Sequence, residues 1–298
     1  MEITRRTLFE GGLLRACHMI SRPLSAECSE LQQQSENVLV LPLSGVFAMH
    51  DAPRRHVVAT ASHALFVAAG APYRLSFPAA IGDEALLFRF SAAALERAAP
   101  EAVKRDGFDS PDFASHALLP PAAMLERSLL WRRLQRGECD PLEVEEAGIG
   151  LLASALRAAR RRPQPRAHRL QGRRLRQVER VKEAVSVDPG RRWTLDDLAG
   201  LACLSPGHLA HVFREEVGEP VYSYVLRSRL ASTLDAVLDA GADLSAVALQ
   251  AGFASHSHFT ARFRALFGLT PSALRRRASP RKAAQLRRIV TARALAAA

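Results

Sequence analysis

A chain of 298 residues is about twice the common domain size, so two domains are expected. With 48% hydrophobic and 24% charged residues it has the composition of a globular protein, which excludes wholesale disorder, collagen-like repeats and a fibrous rod. The formal net charge of +11 is unevenly spread: residues 1–156 carry −4 and residues 157–298 carry +15, which suggests a polyanion-binding module joined to one with another task.

In chain order, Met1 to Arg6 has charges but no apolar core behind them, so no secretory leader is expected. Residues 3–90 show short apolar runs: Val38 to Leu41, Gly45 to Met49, His56 to Ala59, Ala64 to Val67 and Ala85 to Phe90. Turn residues separate them (Asp51 to Arg54, Gly70 to Pro72, Ile81 to Glu84), which predicts an antiparallel sandwich or small barrel. The longest nearly apolar stretch, Val38 to Met49, contains Pro, Ser and Gly and is far short of the ~20 residues that span a bilayer, so no membrane partner is expected. Cys17, Cys28, Cys139 and Cys203 are widely spaced and read as reduced thiols of a cytoplasmic protein. His18, His50, His56 and His63 lack a compact ligand spacing, so no metal or other cofactor is expected. If the barrel encloses a small-molecule effector, His50, His56, Tyr73, Arg74 and Arg89 are the polar groups available to line it.

Beyond Ala92 the spacing turns helical. Pro121 to Arg136 and Leu142 to Arg162 carry apolar residues at helical intervals (Met124, Leu125, Leu129, Leu134; Val144, Ile149, Leu152, Leu156). Prolines 163 and 165 inside an arginine run end any helix there, so residues 161–177 are expected to be a basic linker after a first domain of 1–160.

The second half reads as helix, tight turn, helix. Thr194 is a good N-cap with Asp196 and Asp197 in the first turn, and Ser205 caps a second helix that has Pro206 at its first position. Leu209, Val212 and Phe213 face inward, which leaves Gly207, His208, Ala210, His211 and Arg214 outside. The pattern returns about 49 residues later. Leu195, Leu198 and Ala199 correspond to Leu244, Val247 and Ala248; Leu209, Phe213 and Gly218 correspond to Phe259, Phe263 and Gly268, so the second turn is one residue longer. Pro220 to Leu238 has no helix breaker and predicts one helix joining two like units. Such a pair can place its second helices in successive major grooves about 34 Å apart. Arg227, Arg229, Arg262, Arg264, Arg275, Arg276 and Arg277 are then available to neutralise phosphates.

Residues 178–277 resemble the DNA-binding domain of the AraC/XylS family of bacterial transcription regulators. The resemblance runs through Leu204 to Arg214, Tyr224 to Leu230, the turn Gly252 to Phe259 and the closing Phe267 to Ser272. It implies an α+β chain of two domains: a cupin-like antiparallel β-barrel with trailing helices, and an all-α domain of two helix-turn-helix units. It also implies a sequence-specific regulator, not an enzyme, with double-stranded promoter DNA and RNA polymerase as partners, a small-molecule effector, and homodimerisation through the barrel or the Leu142 to Arg162 helix. The family's base-reading positions fall on Gly207, Ala210 and His211 and on His256, Ser257 and Ala261, with Ser205, His208, Arg214, Ser255 and Arg262 around them. Arg227, Arg229 and Arg264 are expected to touch phosphates. The chain departs from the family where His211 and Ala261 replace the usual Arg, and where Cys203 takes the place that Gly252 holds in the second turn. A barrel metalloenzyme with a DNA-binding appendage and a nonspecific architectural protein are the alternative readings. Residues 278–298 form a basic tail beyond the family domain.

Overall fold

The computed structural model describes residues 2–52, 55–99, 115–160 and 169–278. The arginine run at 161–168 and the tail beyond 278 lie outside them.

The first half is antiparallel β followed by helices. A six-stranded sheet has the order β1 (Glu2–Glu10), β2 (Leu14–Arg22), β8 (Asp83–Phe90), β3 (Val38–Gly45), β6 (His63–Val67), β9 (His116–Leu118); a three-stranded sheet has the order β5 (Arg55–Ala59), β4 (Phe47–Ala52), β7 (Arg74–Ser76). Because side chains alternate along a strand, each apolar run serves two cores. From β8, Ala85 and Leu87 join Val38, Val40, Phe47, Met49 and Leu75 between the sheets. Leu86, Phe88 and Phe90 point the other way, with Leu39 and Leu41, onto helices α1 (Ala92–Ala98), α2 (Pro121–Arg136) and α3 (Pro141–Arg160). Burial on both faces is why these strands read as continuous hydrophobic runs. The named runs all form strands, whereas β1, β2, β7 and β9 lie outside those runs. β1 is an edge strand with a mostly exposed side-chain row, and β7 and β9 are three residues long.

Arg127 of α2 is fully buried, and its guanidinium donates to the carbonyls of Pro42 and Ala61, tying the helix to β3 and to the turn before β6. Loss of water pushes its pKa down to about 10.

The second half is all α: α4 (Arg169–Val187), α5 (Leu195–Ala202), α6 (Pro206–Val217), α7 (Val221–Ser232), α8 (Leu234–Leu238), α9 (Leu244–Gln250), α10 (His256–Phe267) and α11 (Pro271–Arg277). The helices depart from the sequence pattern in two places. Helix α4 begins at Arg169, inside the stretch assigned to a linker, because Val178, Val181 and Val185 form one face that packs on Leu198, Leu209 and Phe213. The single joining helix is two, broken at Thr233. The Thr233 hydroxyl donates to the Leu230 carbonyl, and the Thr233 amide bonds three residues back, to Leu230, rather than four.

The two halves are not independent bodies on a tether. One apolar cluster runs from the outer face of the large sheet through α2 and α3 to Leu230, Leu234, Val237 and the phenylalanines of α10. Polar contacts reinforce it: Arg132 of α2 donates to the Asp235 carbonyl at 2.5 Å, and the buried Glu179 of α4 accepts the Val58 amide of β5 at 2.7 Å while Lys182 donates to both its oxygens at 2.9 Å. Glu179 thereby pairs an amide on the outer edge of the small sheet that would otherwise lack a partner.

Candidate nucleic-acid interface

Local chemistry sets both helix pairs. The Thr194 hydroxyl accepts the Asp197 amide at 3.1 Å while the Asp197 carboxylate accepts the Thr194 amide at 3.0 Å, a reciprocal cap on α5. The Thr194 hydroxyl also donates to the Asp197 carboxylate at 2.7 Å, and that bond, with the one from the Thr194 amide, holds the Asp197 carboxyl below the usual carboxylate range. Ser205 accepts the His208 amide to start α6, and Ser255 accepts the His258 amide to start α10. In the first unit Leu209, Val212 and Phe213 are fully buried, with Phe213 edge-on to Tyr224 at 5.4 Å between ring centres. In the second, Phe253, Phe259, Phe263 and Phe267 form a ladder with successive centres 5.2, 5.5 and 4.6 Å apart.

The two turns use the same left-handed backbone. Gly252 has φ +78°, and Cys203 adopts φ +53° where its counterpart is glycine. A non-glycine residue there carries roughly 1–2 kcal/mol of strain. Cys203→Gly is therefore expected to raise the denaturation midpoint, by about 1 kcal/mol of stability after the entropy glycine adds to the unfolded chain. An unchanged or lowered midpoint would show that the exposed thiol side chain compensates.

All eleven residues expected to read or flank DNA in the two second helices are exposed: Ser205, Gly207, His208, Ala210, His211 and Arg214, and Ser255, His256, Ser257, Ala261 and Arg262. The first face also carries an acid that the spacing did not flag. Glu215 lies 3.3 Å from His211 Nε2 and 3.5 Å from Arg174 of α4. On the second face, Arg262 Nε donates to His258 at 3.3 Å. Beside α10 lies an open groove of about 770 Å³, lined by His256, Ser257, Thr260, Ala261, Arg264, Ala265 and Thr270. Thr260 and Ala265 continue the helical stripe of Ser257 and Ala261, and Thr260 stands where the first unit has Ala210.

Two of the three residues expected at phosphates are engaged inside the protein instead. Arg227 donates to both carboxylate oxygens of Glu219 at 3.1 and 3.0 Å and to the Leu119 carbonyl of the first half at 3.2 Å. Arg229 donates to the carbonyls of Pro189 (2.7 Å), Arg191 (2.6 Å) and Gly252 (3.3 Å), and burial lowers its pKa. It clamps the loop before α5 to the turn of the second unit, where Gly252 and Gly190 meet backbone to backbone. Arg275 is likewise turned inward, onto the Val237 carbonyl at 2.9 Å. Arg264 is exposed.

The expected effector residues do not converge. His50 and His56 pair across β4 and β5, stack at 5.3 Å, and share strand parity with Ala48 and Val58 on the outer face of the small sheet. Strand alternation thus turns them away from the interior. Burial, with His56 beside it, pushes the His50 imidazole below its usual range against the opposing pull of Asp51, and its Nε2 lies 2.8 Å from Ser76 and 3.6 Å from the Cys28 sulfur. Tyr73 lines the space between the sheets, its hydroxyl accepting from Gln34 at 2.6 Å. Arg89 donates to Glu36 and Gln34, and Arg74 is exposed. The space is about 30 Å³, the share of one water molecule. Among the described residues no three His, Cys, Asp or Glu side chains gather as metal ligands, and no helix is long and apolar enough to cross a membrane.

A family model described as a helix-turn-helix domain matches residues 198–277. The chain is similar to an AraC-like transcription regulator of Streptomyces antibioticus, 31% identical over 93 residues that make up 31% of each chain. It is also similar to the HTH-type transcriptional activator AarP of Providencia stuartii, 33% identical over 84 residues, 28% of this chain and 62% of that one. The matched segment thus spans about a third of the first relative's length and about three fifths of the second's. Among solved structures, ToxT of Vibrio cholerae aligns over 88% of this chain and 97% of its own, at 11% identity and a TM-score of 0.34.

Proposed function

We propose that the chain is a sequence-specific transcription regulator of the AraC type which binds double-stranded promoter DNA through α6 and α10, a reading supported by the helix-turn-helix match over residues 198–277 and by the AraC-like regulators among its relatives. The observation that carries the reading is the duplication. Two capped, fully cored helix pairs flank α7, the first packed also on α4 and the second on α8 and α2, and both leave the second helix exposed. Base contacts fall to His211, His256, Ser257 and Ala261, and Arg214, Arg262 and Arg264 reach phosphates. The N-terminal domain regulates: it senses a small effector, dimerises, or both, and passes the change from β5 to α4 through the Val58–Glu179 bond and to α8 through Arg132. At about 30 Å³ the inter-sheet space must open to take anything larger than water, so effector binding would alter the sheet that Glu179 grips. The proposed setting is the cytoplasm, the proposed partners are RNA polymerase and a second copy, and no catalytic role is assigned.

The test is selection of bound duplexes from random DNA, followed by affinity measurements at physiological salt. We expect enrichment of a defined site bound at least 10³-fold more tightly than random DNA. His211→Ala and His256→Ala/Ser257→Ala are each expected to weaken that preference by about tenfold. Equal affinity for selected and random DNA would mark an architectural protein instead, and unchanged discrimination in the variants would refute the residue assignment.

A further inference from the structure

The two reading faces differ in chemistry. Aligned through Leu209 and Phe259, the outer stripe of α6 is Gly207, Ala210, His211, Arg214 and Glu215, and that of α10 is Ser257, Thr260, Ala261, Arg264 and Ala265. The first is polar and carries a carboxylate held by His211 and Arg174. In the second, alanines stand at the positions of His211 and Glu215.

Thr260 makes the second face more apolar than its sequence suggests. The residue is half-buried and lines the groove, yet its hydroxyl oxygen is shut off from solvent and has no hydrogen-bond partner. The part of the side chain that meets the groove is therefore carbon. Thr260, Ala261 and Ala265 present three methyl groups along one side of α10, with Ser257 and His256 toward its start and Arg264 near its end. Past Ser257 and His256 at its start, the middle of this face is methyl-rich and has nothing with which to hydrogen-bond a guanine or adenine edge. It fits the one apolar feature of the major groove in unmodified DNA, the 5-methyl of thymine.

We infer that the second helix-turn-helix unit selects its half-site by packing the methyl groups of Thr260, Ala261 and Ala265 against thymine 5-methyls. This deepens the DNA-binding reading and rests on it. It makes Thr260 and Ala265 specificity-determining residues beside His256 and Ser257, and it makes the two half-sites chemically unlike: thymine methyls are read in one and only polar groups in the other.

The experiment uses the full chain and a duplex selected by it from a random, unmodified library. Each thymine is replaced in turn by deoxyuridine, which removes the methyl and leaves the pairing edge intact. At one or more positions wild type is expected to lose about fourfold in affinity, the effect of one buried methyl. Thr260→Ser, which keeps the hydroxyl and drops only the methyl, and Ala265→Gly are expected to cut the deoxyuridine penalty below twofold at those positions, since protein and DNA methyls act as a pair. Selected sites without thymine, tolerance of every deoxyuridine within twofold, or a penalty undiminished in both variants would overturn the inference while leaving the regulator reading intact. Failure to enrich any duplex over random DNA would overturn both.

Discussion

Glu179→Ala is expected to destabilise the folded chain by about 3–5 kcal/mol, read as a fall in the urea midpoint. The substitution removes the carboxylate to which the buried Lys182 ammonium donates twice, and with it the acceptor of the Val58 amide. Both residues are almost completely buried, at 1% and 2% exposure, so water cannot replace what is lost. A double variant, Glu179→Gln/Lys182→Met, separates the two effects. It removes both charges while the glutamine carbonyl can still accept from Val58, and its stability should fall within about 1–2 kcal/mol of wild type. If Glu179→Ala costs less than about 1 kcal/mol, the pair is open to solvent and the contact between β5 and α4 is not a fixed joint.

Gly252→Ala is expected to have the largest effect on DNA binding of any single methyl added to the protein. A β-carbon there would stand 2.1 Å from the Gly190 carbonyl oxygen and 2.8 Å from its carbon, and the obstacle is backbone rather than a side chain that could swing away. The φ of +78° adds strain that only glycine escapes. Relief requires the loop before α5 and the turn before α10 to separate, which breaks the Arg229 clamp and changes how the two second helices are set relative to each other. The expected result is a loss of roughly 3 kcal/mol in stability and at least tenfold in affinity for a two-half-site duplex. Affinity for a single half-site should change far less, because each unit keeps its own core. Equal losses on one and two half-sites would mean that the unit itself, not the spacing, had been damaged.

Much of this protein is written in local pattern. Thr194, Ser205 and Pro206 announce the first helix pair, because caps act within one turn of the chain. Leu209 and Phe213 recur as Phe259 and Phe263 because each unit must bury one face of its second helix, so the duplication and the extra residue in the second turn are both legible. The apolar runs of the first half foretold five of the strands, and the helix Pro121–Arg136 matches its expected bounds.

What local pattern could not supply is the direction and occupation of side chains. His50 and Tyr73 look alike as polar residues near strands, and only the pairing of two sheets decides that one lies outside and the other lines the interior. Arg227, Arg229 and Arg264 look alike as helical arginines. Two of them are engaged by Glu219 and by backbone carbonyls brought in from residues 23–108 positions away, while the third stays exposed. The break at Thr233 and the inward turn of Asp235 toward Arg132 follow from the docking of the second unit on α2, a contact between segments a hundred residues apart. The sequence by itself determined the helices, their caps, the repeat and the charge of the second half, because those depend on neighbours within a few residues. The tertiary structure alone decided which arginines remain for a partner, which face of each strand meets the interior, and that both halves share one core, because burial and hydrogen-bond competition are settled only when distant segments meet.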